Sequence, residues 1–404
     1  MLIFPLLKYV AEGMPTTGSV QVRTALRTVA ADPTAYAMQA GLGPLLHRAT
    51  AGNPPPPLKD AMAAAYLAAR VRHSCLFDAA RRAIDLCAGM GVPVTLLKGI
   101  SISEQCYPAA YLRPMSDIDL LIPATAREAV EARFLQCGYG QDPNKMGPDS
   151  HHGEPLLDPD HFVWIELHEA LFPGRSRLRQ GRLFSASGIA KQTVATSLAD
   201  RPVQRLSDAL QLIYISCYWV RDVSMHGLHP AFVFPVIDAV CLLTKSHPPD
   251  WQVVLDLVDN PIAAASLYIL LAYLSRYRIV PIPEDVLAHL AASQPIVGRT
   301  ECAILTAMVH RYLIGGRSFR PFNSWHIWTN LIRPGTPFRK VLSLPWNIVF
   351  PARYPDRYDA AWQAKRIAQR LRRPQHRTDP AHTGQIMPEG EATHAGFDTR
   401  VRIP

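Results

Sequence analysis

The most informative part of the chain is residues 94–122, VTLLKGISISEQCYPAAYLRPMSDIDLLI. Its apolar start breaks at Lys98-Gly99 and leads into a stretch that is compatible with a short helix. Near its end, aspartates alternate with aliphatic residues. Because the side chains of a strand alternate between its two faces, we expect Asp117 and Asp119 to point to the same face. Two carboxylates beside a lysine–glycine turn are suited to holding a divalent metal against the phosphates of a nucleotide.

Further strand patterns extend this unit into a small predicted sheet. We expect strands at 92–97, 116–122 and 161–168, and helices at about 100–107 and 124–137. In the last of these strands, Glu166 and His168 share one face and aliphatic residues share the other. The sequence therefore predicts carboxylates at the centre of two separate strands.

Helical patterns lie on both sides of the predicted sheet. Residues 58–88 contain neither Gly nor Pro and predict one long helix, and the chain from about residue 176 onward is expected to be mostly helical. We expect five segments: a partly helical N-terminal segment at 1–57, a core with its leading helix at 58–175, a helical C-terminal domain at 176–315, a basic extension rich in aromatic residues and proline at 316–373, and a disordered tail at 374–404.

Composition restricts the class of protein. With 404 residues, of which 48% are hydrophobic and 19% are charged, the chain can bury a large core. Its seven cysteines show no C-x-x-C spacing, which favours a reduced, cytoplasmic protein over a cysteine-based zinc site. No apolar run has the length of a membrane span, and the N-terminus is a poor signal peptide.

The positive charge of the chain is unevenly distributed. The formal net charge is +9, but much of the excess lies near the C-terminus, and no comparable basic block flanks the aspartate-bearing strand. Nucleic acid is therefore not expected as a partner. Salt-dependent RNA binding through the arginines of 353–377 would favour the opposite interpretation.

Several motifs resemble one known family. The most specific is Arg113-Pro-Met-Ser-Asp-Ile-Asp-Leu-Leu-Ile122, which comes after Leu96-Leu-Lys-Gly99. Over about residues 60–275 the chain resembles the uncharacterised nucleotidyltransferase family, which has the polymerase-β-like catalytic fold. The other motifs that carry this resemblance are Tyr107-Pro108, His151-His152, Ile165-Glu-Leu-His168, Leu206-Ser-Asp-Ala-Leu210 and Ile237-Asp-Ala-Val-Cys-Leu-Leu243.

The resemblance implies a fold and a reaction. The fold would be α+β, with a small mixed-sheet polymerase-β-like nucleotidyltransferase core flanked by the helical N-terminal segment and the helical C-terminal domain. Asp117, Asp119 and Glu166 would be the catalytic residues and the ligands of Mg²⁺ or Mn²⁺. A nucleoside triphosphate would donate a nucleotide to a hydroxyl or phosphate on a peptide, carbohydrate or small molecule, with release of pyrophosphate.

Two other functions are compatible with the same motifs. One is a sugar or phosphoryl transferase that acts on a peptide or glycan with the same scaffold. The other is a nucleotide-binding protein that does not catalyse transfer. The three intact carboxylates, Asp117, Asp119 and Glu166, argue against the second of these.

The turn and the residues before the strand are predicted to contact the nucleotide. The candidates are Lys98, Gly99, Ser101, Arg113 and Ser116. Lys98 stands with Gly99 where the wider superfamily has Gly-Ser. It either contacts the terminal phosphates, caps the C-terminal end of the sheet or pairs with an acidic neighbour. Gly99 either lets the backbone approach phosphate or only makes a tight turn. Arg113 either holds a phosphate or pairs with Asp117. Ser101 and Ser116 are weaker candidates.

Three histidines and one helical aspartate are further candidates. His151 and His152 lie in a loop, where adjacent side chains diverge, so a structural or solvated role is favoured over a metal site. His168 shares the face of Glu166 and is predicted to contact the acceptor or to support the ligands. Asp238 lies within an apolar helix and is predicted to be structural, capping the helix or pairing with an arginine.

Overall fold

A computed structural model describes residues 2–28, 31–141, 151–174, 176–316, 327–333, 335–336, 338–340 and 342–343. Within these residues the chain forms one mixed sheet of seven strands surrounded by helices. The predicted tail at 374–404, the arginines of 353–377 and most of the predicted extension at 316–373 lie outside the described residues.

The sheet has the strand order β3-β4-β5-β2-β1-β7-β6. The strands are β1 (Thr95–Leu96), β2 (Asp117–Leu121), β3 (Gly140–Gln141), β4 (Leu156–Leu157), β5 (Trp164–His168), β6 (Thr193–Leu198) and β7 (Arg201–Leu206). The three predicted strands are present as β1, β2 and β5, and each is shorter than expected. With its helical flanks, this mixed sheet confirms the predicted α+β fold.

The central strands β2 and β5 run parallel, and their register sets acidic residues side by side. Asp119 is opposite Glu166, and Leu121 is opposite His168. On the far side of β2, strand β1 pairs with it in the antiparallel direction. Side chains that occupy equivalent positions of two paired strands lie on the same face of a sheet. The carboxylates of β2 and β5 therefore share one face.

Helices cover both faces of the sheet. The helices are α1 (Ile3–Ala11), α2 (Val20–Thr28), α3 (Ala31–Gln39), α4 (Gly43–Ala49), α5 (Lys59–Gly89), α6 (Lys98–Cys106), α7 (Arg127–Gln136), α8 (Ala186–Lys191), α9 (Asp208–His226), α10 (Val233–Thr244), α11 (Trp251–Leu257), α12 (Pro261–Arg276), α13 (Glu284–Ala292) and α14 (Arg299–Met308). The leading helix predicted over residues 58–88 is α5, which spans Lys59–Gly89. None of the described helices is both long enough and apolar enough to span a membrane.

Two apolar cores hold these layers together. In one, the aliphatic face of β2 and β5 packs with buried side chains of α5 and α7, among them Ile118, Ile165 and Phe134. The other is larger and is built mainly from helices, including α1, α9, α10 and α12. Because the aliphatic side chains of β2 belong to the first core, its aspartates point away from that core. Burial of the aliphatic face thus fixes the side on which the carboxylates lie.

The hairpin of β6 and β7 is an exception to the helical structure expected from residue 176. Most of its side chains are exposed or half-buried, so it lacks the alternation that identifies a strand. Its turn places Ala199 at φ 48° and Asp200 at φ 62°. Two positive φ values are typical of a type I′ turn, for which Asn-Gly or Asp-Gly is the usual signal. Ala-Asp gives no such signal.

Candidate functional site

Three side chains on β2 and β5 form a group that could hold a metal ion. Each of Asp119, Glu166 and His168 offers a ligand atom, and these atoms lie within 4.8 Å of one another. Asp119 and Glu166 meet because they are opposite each other in the parallel register. His168 lies two residues after Glu166 on the same face of β5, and its side chain reaches back to Asp119. We call Asp117, Asp119 and Glu166 the carboxylate cluster.

Lys98 places a positive charge on this cluster. Its Nζ lies 2.5 Å from Asp119 Oδ1 and 4.0 Å from Glu166 Oε2. Burial opposes its charge, but the carboxylates, with Asp119 first, raise the pKa of the Lys98 ammonium well above its ordinary value. The backbone of Lys98 has φ 44° at the start of α6. A side chain at positive φ is strained, and such strain is frequent at functional sites.

His168 supports the two carboxylates that face it. Its Nε2 lies 2.7 Å from Asp119 Oδ1 and 3.4 Å from Glu166 Oε2. Although burial raises the pKa of Asp119, Lys98 and His168 together hold that pKa below its usual range. An ionised carboxylate only accepts hydrogen bonds, so Nε2 of His168 is the donor. Its Nδ1 is buried without a hydrogen-bond partner among the described residues.

Asp117 differs from the other two carboxylates in the direction in which its pKa is shifted. Burial, followed by the charges of Asp119 and Glu166, raises the pKa of Asp117 to about 6. Its Oδ1 accepts a hydrogen bond from Ser116 Oγ at 3.1 Å. In contrast, hydrogen bonding to His168 and the charge of Lys98 overcome the effect of burial and lower the pKa of Glu166. The cluster therefore holds one carboxylate that gains a proton easily and two that resist protonation.

His151 and His152 lie beside the cluster rather than in a solvated loop. The centroids of their rings are 5.0 Å apart, and each centroid lies 5.0 to 5.2 Å from that of the His168 ring. A β-bridge between His152 and His168 brings them there. His151 is buried, and burial lowers its pKa. The connection before His151 is long, so the sequence does not show which strand residues His151 and His152 lie beside. Their placement could not be predicted from spacing alone.

Gly99 and Ser101 are both buried in α6, directly behind Lys98. A Cβ at Gly99 would lie 2.7 Å from Cγ and Sδ of Met115, so close packing is a structural reason for glycine here. The hydroxyl of Ser101 accepts a hydrogen bond from Gln105 Nε2 at 2.9 Å. Contact of either residue with a nucleotide stays a prediction.

Arg113 pairs with Asp238 and not, as one alternative had it, with Asp117. Its Nη2 lies 2.9 Å from Asp238 Oδ2, and Nη1 donates to the carbonyl of Pro114. Tyr107 adds a hydrogen bond of 2.7 Å from its hydroxyl to Asp238 Oδ1. We call Tyr107, Arg113 and Asp238 the Asp238 network. The prediction that Asp238 pairs with an arginine is confirmed, and nucleotide binding by Arg113 gains no support from this geometry.

Helix α9 contributes residues that the motifs did not indicate. Tyr214 is buried close to Lys98, whose positive charge lowers the pKa of the phenol while the larger effect of burial raises it. Asp222 lies near enough to Lys98 and Asp119 for both charges to act on its pKa, which burial raises. Spacing by seven and eight residues puts Arg221 and Asp222 on the helix face of Tyr214. That spacing is visible in the sequence once Tyr214 is known to lie near Lys98.

Comparison with known proteins gives one match. A family model described as "Uncharacterised nucleotidyltransferase" matches residues 31–278, which is more than half of the chain. No curated protein and no solved structure matches the chain.

Proposed function

This chain belongs to the uncharacterised nucleotidyltransferase family, and we propose that it transfers a nucleotide from a nucleoside triphosphate to an acceptor oxygen. The acceptor oxygen bonds to the α-phosphorus, the bond from that phosphorus to the bridging oxygen of the β-phosphate breaks, and pyrophosphate leaves. The acceptor loses its proton to solvent. The observation that carries the proposal is the parallel register of β2 and β5, which sets Asp119 opposite Glu166 with Asp117 on the same face.

The carboxylate cluster fits a hard divalent cation. Carboxylate oxygens are the ligands that Mg²⁺ prefers, and Mn²⁺ accepts the same donors. We propose Asp117, Asp119 and Glu166 as the ligands. A histidine that ligates a metal normally donates its other ring N–H to an acceptor. Nδ1 of His168 has no such partner among the described residues. His168 is therefore better suited to orienting Asp119 than to binding the cation.

The remaining residues of the site position the reactants. A bound divalent cation would polarise the phosphate oxygens and favour ionisation of the acceptor hydroxyl. Lys98 would bind the terminal phosphates as a point charge, because its ammonium already lies within 4.0 Å of two carboxylates of the cluster. Buried apolar side chains behind β2 keep the cluster rigid. Positioning of the reactants and electrostatic stabilisation together account for most of the catalysis of phosphoryl transfer.

The acceptor class is a separate part of the proposal. A peptide, a carbohydrate or a small molecule fits best, since no basic block lies in the sequence beside the aspartate strand to attract nucleic acid.

The seven cysteines are all free, which supports a cytoplasmic, reducing location.

Transfer of label from a triphosphate tests the proposed reaction. The purified protein is incubated with Mg²⁺, cognate lysate and each nucleoside triphosphate, labelled at the α-phosphate or at the γ-phosphate. We expect α-label in a product together with free pyrophosphate. The Asp119→Asn variant should lose at least about a thousandfold in rate, since it removes a metal ligand. Asp60→Asn, at an exposed position of α5, serves as the matched control.

Other outcomes separate the alternatives. Transfer of γ-label instead of α-label would indicate a phosphoryl transferase. Binding of triphosphate without turnover would indicate a protein that only binds nucleotide. An Asp119→Asn variant as active as the control would overturn the assignment of the site, and no product from any triphosphate would overturn the enzymatic proposal.

A further inference from the structure

The two edges of the sheet differ in length. The sheet ends on one side at β3, which has two residues, and on the other at β6, which has six. Strand β6 pairs with β7 along its whole length without a bulge, from Thr193 opposite Leu206 to Leu198 opposite Arg201. In the described part of the chain no strand pairs with the other side of β6. This side therefore offers a straight row of backbone groups to a further strand.

The two-residue turn after β6 fixes which backbone groups face outward. In such a hairpin the residues that flank the turn, Leu198 and Arg201, exchange both backbone hydrogen bonds, and every second residue of β6 does the same with β7. A hydrogen bond of 2.6 Å from the amide of Ser207 to the carbonyl of Gln192 continues this alternation at the far end. The residues whose N–H and C=O groups then point away from β7 are Thr193, Ala195 and Ser197.

Strand β6 lacks the features that normally keep a sheet edge from pairing. Natural edges are protected by charged side chains, proline, bulges or a covering element. The six residues of β6, TVATSL, include no charged residue and no proline, and Val194, Ala195 and Ser197 are exposed. An exposed edge without such protection is a template for the addition of another strand.

A second copy of this chain is well matched to the edge. Two β6 strands can pair in the antiparallel direction about a two-fold axis at Ala195, which places Thr193 of each copy opposite Ser197 of the other. The outward backbone groups then exchange about six hydrogen bonds. Threonine opposite serine is a favourable cross-strand pair, and no like charges oppose each other because β6 carries no charge.

Charges at the two ends of β6 favour the same pairing. Lys191 lies just before the strand and Asp200 lies in its turn, and both side chains are exposed. Neither belongs to an ion pair within the part of the chain that the structure describes. Because one copy runs opposite to the other, Lys191 of each copy approaches Asp200 of the other copy. Opposite charges then attract at both ends, and an extended peptide of arbitrary sequence offers no such match.

We propose that β6 is the contact surface between two copies of this chain, which join edge to edge into one continuous sheet. This contact goes beyond the proposed nucleotidyl transfer and does not rest on it. The carboxylate cluster lies on β2 and β5, which β1 and β7 separate from β6, so each copy keeps its own complete cluster.

Analytical ultracentrifugation of the full chain over a range of concentrations tests the contact. We expect a reversible monomer–dimer equilibrium for the wild type. Ala195→Pro should weaken association at least about tenfold, because proline removes an outward N–H and leaves every bond to β7 in place. Ala195→Ser keeps that N–H and should associate as the wild type does. Circular dichroism shows whether both variants are folded.

Exchange of the end charges tests the antiparallel register, and it decides the matter even if the proline variant does not fold. At low ionic strength, Lys191→Glu and Asp200→Lys should each associate about three- to tenfold more weakly, because like charges then meet at both ends. An equimolar mixture of the two variants should form a mixed dimer of nearly wild-type affinity, since opposite charges meet again at both ends.

Several outcomes would overturn the proposed contact. A wild-type protein that stays monomeric at all concentrations would do so, as would a folded Ala195→Pro variant that associates as tightly as Ala195→Ser. Charge variants that do not recover in the mixture would exclude the antiparallel register. Binding of an extended peptide at β6 by a monomeric protein would assign the edge to that peptide instead. Label transfer by a monomeric protein would leave the proposed function intact and overturn the contact alone.

Discussion

Two buried groups of charged side chains lie at the two ends of helix α6. Lys98 begins the helix and touches the carboxylate cluster, while Tyr107 comes after the last helical residue and belongs to the Asp238 network. Both groups place a cation against an aspartate at hydrogen-bond distance. The two groups differ in the ratio of positive to negative side chains. In the Asp238 network one arginine pairs with one carboxylate, whereas in the cluster one lysine lies within 4.0 Å of two of three neighbouring carboxylates.

This difference in the ratio of positive to negative side chains distinguishes a structural group from a functional one. Asp238 is fully buried, and its charge is neutralised by Arg113. In the cluster, the pKa of Asp117 is raised while the pKa of Asp119 is lowered. Pairs of neighbouring carboxylates with diverging pKa values are typical of active sites. A buried charge excess that the fold itself does not neutralise is a stronger indication of function here than a buried ion pair.

The same substitution in the two groups should have opposite effects, and the larger effect is expected at Asp238. Asp238→Asn leaves the guanidinium of Arg113 buried without a counter-charge and should lower the free energy of unfolding by about 3 kcal/mol. Chemical denaturation measures the loss. In a control, the Arg113→Met/Asp238→Leu variant should lose less than Asp238→Asn, because it removes both charges. Equal stability of Asp238→Asn and the wild type would contradict the structural role.

Asp117→Asn should instead stabilise the metal-free protein. The pKa of Asp117 is raised to about 6, so its contribution to stability is fully present below pH 4 and is lost as the pH rises through 6. The variant should therefore equal the wild type near pH 4 and exceed it by about 1–3 kcal/mol at pH 7. Denaturation in the presence of a chelator, from pH 4 to 7.5, measures this difference. A difference that does not grow with pH would remove the distinction between the two groups.

Gly99 lies between the two groups and should show the smallest effect. A Cβ there would clash with Met115 and would lie 3.3 Å from Nη1 of Arg113. We expect Gly99→Ala to cost about 1–2 kcal/mol of stability, since an overpacked side chain must move. Because the clash is with Met115, the Gly99→Ala/Met115→Ala variant should show non-additive, partly recovered stability relative to the two single variants.

The label-transfer assay on the same variants then separates the two interpretations of Gly99. Recovery of transfer along with stability would show that glycine is needed only for packing. Transfer that stays low after stability recovers would show that the backbone of Gly99 approaches the substrate.

The carboxylate cluster could be predicted from the sequence because the patterns that indicate it lie within short, continuous segments. Alternation places Asp117 and Asp119 on one face, and the same rule joins Glu166 to His168. The motif also predicts an acidic neighbour as one alternative for Lys98, and the pairing with Asp119 confirms that alternative. Aliphatic residues between the carboxylates make burial of the opposite face the only compatible arrangement.

Contacts between distant segments could not be predicted in the same way. The pairing of β1 with β7 joins residues 95 and 204, and nothing near either residue encodes it. For Arg113, the sequence indicates a nearby carboxylate as the protein partner, while its actual partner lies on α10. His151 and His152 reach the site through a bridge at the end of a long connection. In each case tertiary packing selects a partner that local pattern does not specify.

The contact between Lys98 and Asp119 has a consequence for the order of binding. Oδ1 of Asp119 lies 2.5 Å from the ammonium and 2.7 Å from the imidazole, so a cation that binds alone must compete for this oxygen. A polyphosphate gives the ammonium another anion to contact. Cation and nucleotide should therefore bind cooperatively, and by thermodynamic linkage each raises the affinity for the other by the same factor. The protein would then bind free divalent ions weakly and bind the metal–nucleotide complex selectively.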